Sequence, residues 1–141
     1  MGCDVFYGKK VIQINTDSKN VVLDDGAKLP YTEACVATGS APFIPPFEGL
    51  DTVEKKFSFM TLDDTFALEK AINKDSNVLI VGAGLIGLKC AEGLHDRVES
   101  ITVCDLADRV LSSILDTDCA AIVQRHLEAN GIQFLLGDTA V

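Results

Sequence analysis

The stretch that decides the fold is Asn77-Val-Leu-Ile-Val-Gly-Ala-Gly-Leu-Ile-Gly87, followed further along the chain by Ser100-Ile-Thr-Val-Cys-Asp105. The unbroken apolar run Val78–Val81 predicts a central parallel strand that is covered on both faces. It leads directly into the spacing Gly82-x-Gly84-x-x-Gly87, and a helical pattern begins at Leu85. This order of strand, glycine turn and helix is typical of a turn that binds a dinucleotide.

Each glycine of the turn has a separate physical role in this interpretation. Gly82 permits the tight turn out of the strand, and Gly84 has no Cβ atom to keep a pyrophosphate away from the backbone. Gly87 lets the helix and the strand pack closely. The helix N-terminus then offers free N–H groups and a partial positive charge to phosphates.

Asp105 ends a second apolar strand, Ile101–Cys104, and lies 18 residues after Gly87. A carboxylate at this place can accept hydrogen bonds from an adenosine ribose. The same carboxylate would repel a 2′-phosphate, so it predicts a preference for NADH over NADPH. Arg109 is a weak candidate for binding a 2′-phosphate, because it shares its loop with Asp108. The alternative is a turn that tightens the junction of strand and helix and binds nothing.

Length and composition indicate one ordinary α/β domain with a real core, since 48% of the 141 residues are hydrophobic. The net charge of −9 argues against nucleic acid and anionic membrane surfaces as partners. No apolar stretch reaches the roughly 18 residues that span a bilayer, and no signal-peptide pattern follows Met1. We therefore expect a cytoplasmic protein.

The cysteines and histidines of the chain give no catalytic or metal-binding pattern. The five cysteines include no CxxC pair and no metal-ligand spacing, so we expect reduced thiols. Four of them lie in apolar patterns, where cysteine behaves as a small hydrophobe: Cys35, Cys90, Cys104 and Cys119. His95 and His126 are single histidines on predicted helices and are expected at the surface. No general acid, base or nucleophile and no metal site is predicted.

Short strands separated by turn residues precede the glycine turn. Lys10–Ile14, Val21–Leu23 and Lys28–Pro30 predict a small antiparallel β-meander. Ala34–Pro42 is predicted as a short apolar strand ending in small residues, before a proline-rich extended connector. Phe57–Met60 is considered as a further short strand.

Three helices and a third parallel strand complete the pattern. Thr61 is the predicted start of a helix to about Asn73, and the second helix is predicted over Leu85–Arg97. A third, amphipathic helix begins at Asp116 or Thr117 and ends before Gly131. Its predicted apolar face is formed by Cys119, Ile122, Val123 and Leu127. With a strand at Ile132–Leu136, the C-terminal part is a Rossmann-type βαβαβ half with a parallel sheet in spatial order 3-2-1.

Nearly the whole sequence resembles the FAD-dependent pyridine nucleotide-disulfide oxidoreductases. Tyr31-Thr-Glu-Ala-Cys-Val-Ala-Thr-Gly-Ser-Ala-Pro42 is similar to their Y-D-x-L-x-x-A-T-G-S-x-P segment, and Pro45-Pro-Phe-Glu-Gly-Leu-Asp51 to their P-P-x-x-G-x-D linker. Leu127-Glu-Ala-Asn-Gly-Ile132 and the glycine turn are similar to their NAD domain. The nearest branch comprises NADH oxidases, nitrite reductase flavoproteins and rubredoxin reductases.

The resemblance implies cofactor contacts residue by residue. The pyrophosphate of NAD would be held by Gly82, Gly84, Leu85, Ile86 and Gly87, and the adenosine ribose by Asp105. Ala37, Thr38 and Gly39 would lie beside FAD; from the residues alone they are an ordinary turn at a strand end. Lys89 departs from the pattern, since many members carry glutamate there near the nicotinamide. Its alternative is a solvated lysine on the outer helix face.

The resemblance also divides the chain. Residues 1–50 would be a partial FAD-domain segment, 51–76 a linker with a helix, and 77–141 the first half of the NAD-binding domain. The glycine motif that holds FAD in the family is not in this sequence, so the chain is interpreted as a piece of a longer protein.

Two functions follow from this interpretation. The parent would pass hydride from NADH to FAD and on to oxygen, a disulfide or a small redox protein. The isolated piece would be inactive, as a non-catalytic NAD(H)-binding module, or would bind nothing. The exposed edge of the first Rossmann strand is expected to be covered by the N-terminal segment or by another copy of the chain. The expected partners are the nicotinamide dinucleotide and either the missing FAD-domain halves or another copy of the chain.

Overall fold

The computed structural model describes residues 2–138, which form one compact unit within Met1–Ser40 and a second within Ala41–Val141. The division into 1–50, 51–76 and 77–141 refers to domains of a longer protein and stays a prediction. Within residues 2–138 there is no helix whose length and apolar character would let it cross a membrane.

The first unit contains the predicted β-meander. Strands β1 (Val11–Asn15), β2 (Asn20–Leu23) and β3 (Lys28–Pro30) pair antiparallel in the order β1-β2-β3. The turn between β2 and β3 is held by Asp25, whose carboxylate accepts from the backbone N–H of Ala27 at 3.0 Å. The prediction of an antiparallel meander is confirmed.

The strand predicted for Ala34–Pro42 is wrong. Residues 34–46 have no regular secondary structure and are exposed to solvent. An extended segment becomes a strand only when a neighbour supplies a hydrogen-bonded ladder, and among residues 2–138 no strand pairs with this one. The short strand considered at Phe57–Met60 is absent for the same reason.

The second unit contains the βαβαβ half. Strands β4 (Asn77–Val81), β5 (Ser100–Asp105) and β6 (Ile132–Leu136) form a parallel sheet in the order β4-β5-β6, as predicted. The helices are α1 (Leu62–Ala71), α2 (Leu85–Leu94) and α3 (Thr117–Ala129), and a 3₁₀ turn covers Leu50–Thr52. The Rossmann-type fold class is therefore confirmed.

The helix ends follow from side-chain caps and from local hydrogen bonds. The Thr61 hydroxyl accepts from the Asp64 N–H at 3.1 Å, and the Asp64 carboxylate accepts from the Thr61 N–H at 2.9 Å, a capping box at the start of α1. Helix α2 ends at Leu94, earlier than the predicted Arg97. The Arg97 N–H donates to the Leu94 carbonyl at 2.8 Å, a tightened i to i+3 bond that ends the α-helical pattern.

One core joins the three helices to one face of the parallel sheet. Its buried residues include Leu68 of α1, Ala91 and Leu94 of α2, Ala120 of α3 and Val103 of β5. The predicted apolar face of α3 is wrong in part, because Cys119 and Ile122 are exposed. Ala120 is buried instead, and Val123 and Leu127 pack against the core, in line with the i, i+3, i+7 spacing of one helix face.

The opposite face of the sheet is apolar and largely uncovered. Leu79 and Val81 are 56% and 49% exposed, and Leu135 in β6 lies in the same row as Val81. The prediction that Val78–Val81 is covered on both faces is therefore wrong for residues 2–138, because all three helices join one core. Only Val78 and Ile80 pack against that core.

Strand β4 is an edge of its sheet. Its one hydrogen-bonded neighbour among residues 2–138 is β5, and the meander strands belong to a separate sheet. That the N-terminal segment covers this edge stays a prediction. The pairing with another copy of the chain stays a proposal.

Candidate dinucleotide-binding site

The glycine turn and Asp105 meet at the carboxyl edge of the parallel sheet. Val81, the last residue of β4, pairs with Cys104 of β5, one residue before Asp105. The Gly82 N–H extends this ladder by donating to the Cys104 carbonyl at 2.7 Å. Gly82 has φ +115°, a conformation that a side chain would strain, so glycine is required at this turn.

Helix α2 begins at Leu85, and its N-cap residue is Gly84, which has no side chain to cap the helix. No side chain accepts from its first turn, and Gly84, Leu85 and Ile86 are all exposed. A Cβ atom built on Gly84 meets no other atom within 4 Å, so open space lies beside this backbone. An uncapped helix start beside open space is a suitable place for a phosphate group.

Gly87 is where α2 touches the turn most closely. A Cβ atom built there would lie 2.0 Å from the Gly82 carbonyl oxygen and 3.3 Å from Cγ2 of Ile80. Only a residue without a side chain allows this contact between the helix and the chain leaving β4. The predicted packing role of this glycine therefore has a direct geometric basis.

The carboxylate of Asp105 is hydrogen-bonded to the glycine turn. Its Oδ2 accepts from the Ala83 N–H at 2.6 Å, and its Oδ1 accepts from the Ala107 N–H at 2.8 Å. The side chain is half-buried, and the two predicted parts of the site, turn and acid, are within hydrogen-bonding distance. Each carboxylate oxygen retains a second lone pair for a further donor.

The loop after β5 holds the other side of the turn. The Leu111 N–H donates to the Ala83 carbonyl at 2.9 Å, and Leu111 has the left-handed φ of +51°. Val110 is fully buried and anchors this loop in the core. Sequence reasoning missed both Ala83 and Leu111. Ala83 lies between two glycines and could have been noticed, but leucine gives no signal for a left-handed conformation.

The cations near the site are already paired. The Arg109 guanidinium donates to Asp108 Oδ1 at 3.0 Å and to the Ser112 carbonyl at 3.3 Å. Lys89 pairs with Glu92 at 2.7 Å, with both side chains exposed on the outer face of α2. This pairing favours the interpretation of Lys89 as a solvated lysine.

The remaining predicted site residues lie in the first unit. Ala37, Thr38 and Gly39 are exposed and outside any strand, and Gly39 has φ +74°. Their proximity to FAD stays a prediction. They belong to the first compact unit, and the glycine turn belongs to the second.

Residues 2–138 contain no cluster of His, Cys, Asp and Glu that could hold a metal ion. Cys90 is buried beside the core, and this burial raises the pKa of its thiol. Cys35 and Cys119 are exposed, contrary to the expectation from their apolar patterns. The ring Nε2 of His95 lies 2.5 Å from the Asn130 carbonyl, away from the glycine turn.

A parallel sheet with a glycine turn after its first strand and an acid after its second is the arrangement of a Rossmann-type unit. The sequence profile described as "Pyridine nucleotide-disulphide oxidoreductase" matches residues 1–141. The chain belongs to this family, as its sequence motifs predict.

Similar proteins come from the same family. The NADH oxidase of Methanocaldococcus jannaschii is 41% identical over 131 residues, 87% of this chain and 29% of that protein. The water-forming NADH oxidase of Lactobacillus brevis, solved with NADH, superposes with a TM-score of 0.73 at 26% identity, covering 93% of this chain and 30% of the other.

A second solved structure is the covalent complex of putidaredoxin reductase with putidaredoxin. Its TM-score is 0.82 at 26% identity, covering 94% of this chain and 32% of the other. The chain therefore spans between 16% and 34% of the length of the curated relatives that it is similar to.

Proposed function

We propose that this chain is the NADH-binding part of a flavoprotein oxidoreductase. The observation that carries the proposal is the uncapped start of α2 beside Gly84, with Asp105 at the end of the adjacent strand. The names of two similar proteins, both NADH oxidases, support the same cofactor. NADH is present in the cytoplasm, and that location is proposed with it.

The residues of the chain fit two groups of NADH, the pyrophosphate and the adenosine ribose. The Gly82–Gly87 turn and the N–H groups of Leu85 and Ile86 would hold the pyrophosphate. Asp105 would accept from the ribose hydroxyls through the lone pairs that its bonds to Ala83 and Ala107 leave free. Binding here would fix the orientation of the nicotinamide relative to a flavin.

FAD would supply the redox chemistry, taking hydride from NADH and passing electrons onward. The open, exposed backbone of Ala37, Thr38 and Gly39 is accessible to such a group. The final acceptor is proposed to be oxygen, a disulfide or a small redox protein. The reductase solved in covalent complex with putidaredoxin supports the last class of acceptor.

We expect a preference for NADH over NADPH on electrostatic grounds. A 2′-phosphate would approach the Asp105 carboxylate, and Arg109, the nearby cation, already bonds Asp108 and Ser112. The change Asp105→Arg should shift the preference toward NADPH. An unchanged ratio of NADH to NADPH affinity in this variant would show that Asp105 does not contact the ribose.

A non-catalytic NAD(H)-binding module is the second candidate. It is favoured by the coverage of the relatives, since the chain spans 29% of the NADH oxidase of Methanocaldococcus jannaschii. In that case the missing domain halves, or another copy paired along the β4 edge, would complete the assembly. Flavin absorbance of the purified chain is a direct check, since a yellow protein would show that the chain itself holds FAD and would rule out a module that holds NADH alone.

Calorimetric titration of three proteins with NADH tests the proposal. Gly84→Ala places a methyl group in the open space where the pyrophosphate would lie, without contacting any protein atom. We expect NADH affinity to fall about tenfold or more, which is about 1.4 kcal/mol. Gly93→Ala on the same helix is the matched control, because its Cβ also meets no other atom within 4 Å.

The outcomes separate binding from folding. Unfolding midpoints should show neither variant less stable than the parent chain, since neither new methyl group clashes. Equal NADH affinity in the parent and in Gly84→Ala would place the cofactor elsewhere. No binding of NADH or NADPH to the folded parent would leave the turn as architecture alone.

A further inference from the structure

We propose that Asp105 and Leu111 are positioning residues that aim the Gly84 N–H at the pyrophosphate. The inference rests on the proposed binding of a dinucleotide and gives Asp105 a second role besides ribose recognition. Its basis is that both peptide groups flanking Ala83 are held by hydrogen bonds that exist before any ligand arrives.

The first of these peptide groups joins Gly82 to Ala83. Its N–H donates to Asp105 Oδ2 at 2.6 Å. In a planar trans peptide the carbonyl points opposite to the N–H, so this bond also turns the Gly82 carbonyl away from Asp105. The Gly82 carbonyl oxygen is the atom that a Cβ on Gly87 would meet at 2.0 Å, so Asp105 sets the surface against which α2 packs.

The second peptide group joins Ala83 to Gly84. Its carbonyl accepts from the Leu111 N–H at 2.9 Å, so the Gly84 N–H points in the opposite direction. Gly84 is exposed and has open space around it, whereas Ala83 is 1% exposed. The bond from Leu111 therefore directs the N–H nearest the proposed pyrophosphate out of the protein.

Leu111 makes this bond in a conformation that leucine rarely adopts. A left-handed φ of +51° is unfavourable for a residue with a side chain, and such strain persists where the surrounding structure fixes it. The fixing contacts are the buried Val110 before it and the Leu111 carbonyl, which accepts from the N–H groups of Ile114 and Leu115 at 2.8 and 2.9 Å. The loop is thus held in the position that reaches Ala83.

The two roles of Asp105 can be separated with a ligand that lacks the ribose hydroxyls. The Asp105 carboxylate uses one oxygen for the Ala83 N–H and the other for the Ala107 N–H. The amide in Asp105→Asn has a single oxygen, so it cannot accept from both donors in the same way. Asp108→Asn is the matched control, an identical change three residues away whose carboxylate bonds Arg109 and not the turn. The parent chain and both variants are titrated with ADP and with 2′,3′-dideoxy-ADP.

If Asp105 contacted only the ribose, its replacement would leave the affinity for dideoxy-ADP unchanged. We expect Asp105→Asn to lower the affinity for dideoxy-ADP at least about fivefold. Asp108→Asn should leave that affinity within about twofold of the parent. The loss of a negative charge near a diphosphate favours binding, so it works against the expected result and cannot produce it. Equal affinity of the parent and Asp105→Asn for dideoxy-ADP would overturn the positioning role.

A measurement without ligand keeps this test independent of the proposed function. In the free parent chain, amide exchange should protect Ala83, while the Gly84 amide, directed into solvent, should exchange freely. Asp105→Asn should lower the Ala83 protection at least tenfold, and Asp108→Asn should not. A freely exchanging Ala83 amide in the parent would refute the inference even if NADH binds. A protected Ala83 with no binding of any nucleotide would instead refute the proposed function alone.

Discussion

Replacing Gly87 with alanine should separate α2 from the turn that it packs against. The added Cβ would lie 2.0 Å from the Gly82 carbonyl oxygen, whereas real Cβ atoms seldom come closer than 3.4 Å to a neighbour. One of the two sides must therefore move by about 1.4 Å. Both sides are backbone, so no side-chain rotation relieves the clash. Overpacking of this kind costs about 1–3 kcal/mol.

Gly93→Ala is the matched control for this cost. Gly93 lies on the same helix, and its Cβ would meet nothing within 4 Å, so alanine should stabilise the helix by about 0.5–1 kcal/mol. Thermal and urea unfolding of the three proteins measure the difference. For a unit of this size each kcal/mol corresponds to about 4–8 °C in Tm.

The two variants should therefore move the unfolding midpoint in opposite directions. Gly87→Ala should also lower the affinity for NADH, because displacement of the Gly82 peptide moves the Ala83 N–H away from Asp105. A Gly87→Ala chain as stable as Gly93→Ala would show that α2 does not pack against the Gly82 carbonyl. The close approach described for this helix would then be incorrect.

Three further predictions concern caps and thiols. Thr61→Ala removes the acceptor of the Asp64 N–H and should destabilise α1 by about 1 kcal/mol in urea unfolding; an unchanged midpoint would contradict the capping box. Bonds from the Thr61 and Met60 N–H groups hold the pKa of Asp64 below its ordinary value, so this cap contributes stability above about pH 4 that is lost as the pH falls further. As the pH drops below about 4, the free energy of unfolding of Asp64→Asn should accordingly fall less than that of the parent. Native labelling with a thiol reagent should modify three of the five cysteines, because burial shields Cys90 and Cys104 from the reagent; labelling of all five before unfolding would contradict this. The thiols expected to react are Cys3, Cys35 and Cys119.

The Rossmann half could be predicted because several local signals coincide there. A dinucleotide-type turn needs a strand, a glycine turn, a helix and a terminal acid in this order, and the sequence has all four: Val78–Val81, the three glycines, α2 and Asp105. The structure places them together at one sheet edge. Strand order followed from the pattern of alternating strands and helices alone. The capping residue Thr61 was likewise visible as a threonine before two acids.

The errors occurred where long-range partners decide the outcome. Ala34–Pro42 has the composition of a strand, but strand formation depends on a neighbour that no local pattern specifies. The apolar face of α3 was predicted correctly at Val123 and Leu127 and wrongly at Cys119, because Cys119 and Ala120 are both small and either could face the core. The bond from Leu111 to Ala83 depends on a left-handed leucine, which only the tertiary contacts of Val110 and its loop maintain.

The edge strand of the parallel sheet is also the strand that carries the glycine turn. Val81 ends β4, and Gly82 follows it directly, so a chain that pairs with this edge would hold the backbone adjacent to the proposed pyrophosphate contact. Association along the edge and occupancy by the nucleotide would then be thermodynamically linked. If pairing along the edge raises the affinity for NADH by some factor, bound NADH must strengthen the pairing by the same factor. The oligomeric state of the chain would consequently respond to NADH concentration, and the apparent affinity for NADH would rise with protein concentration.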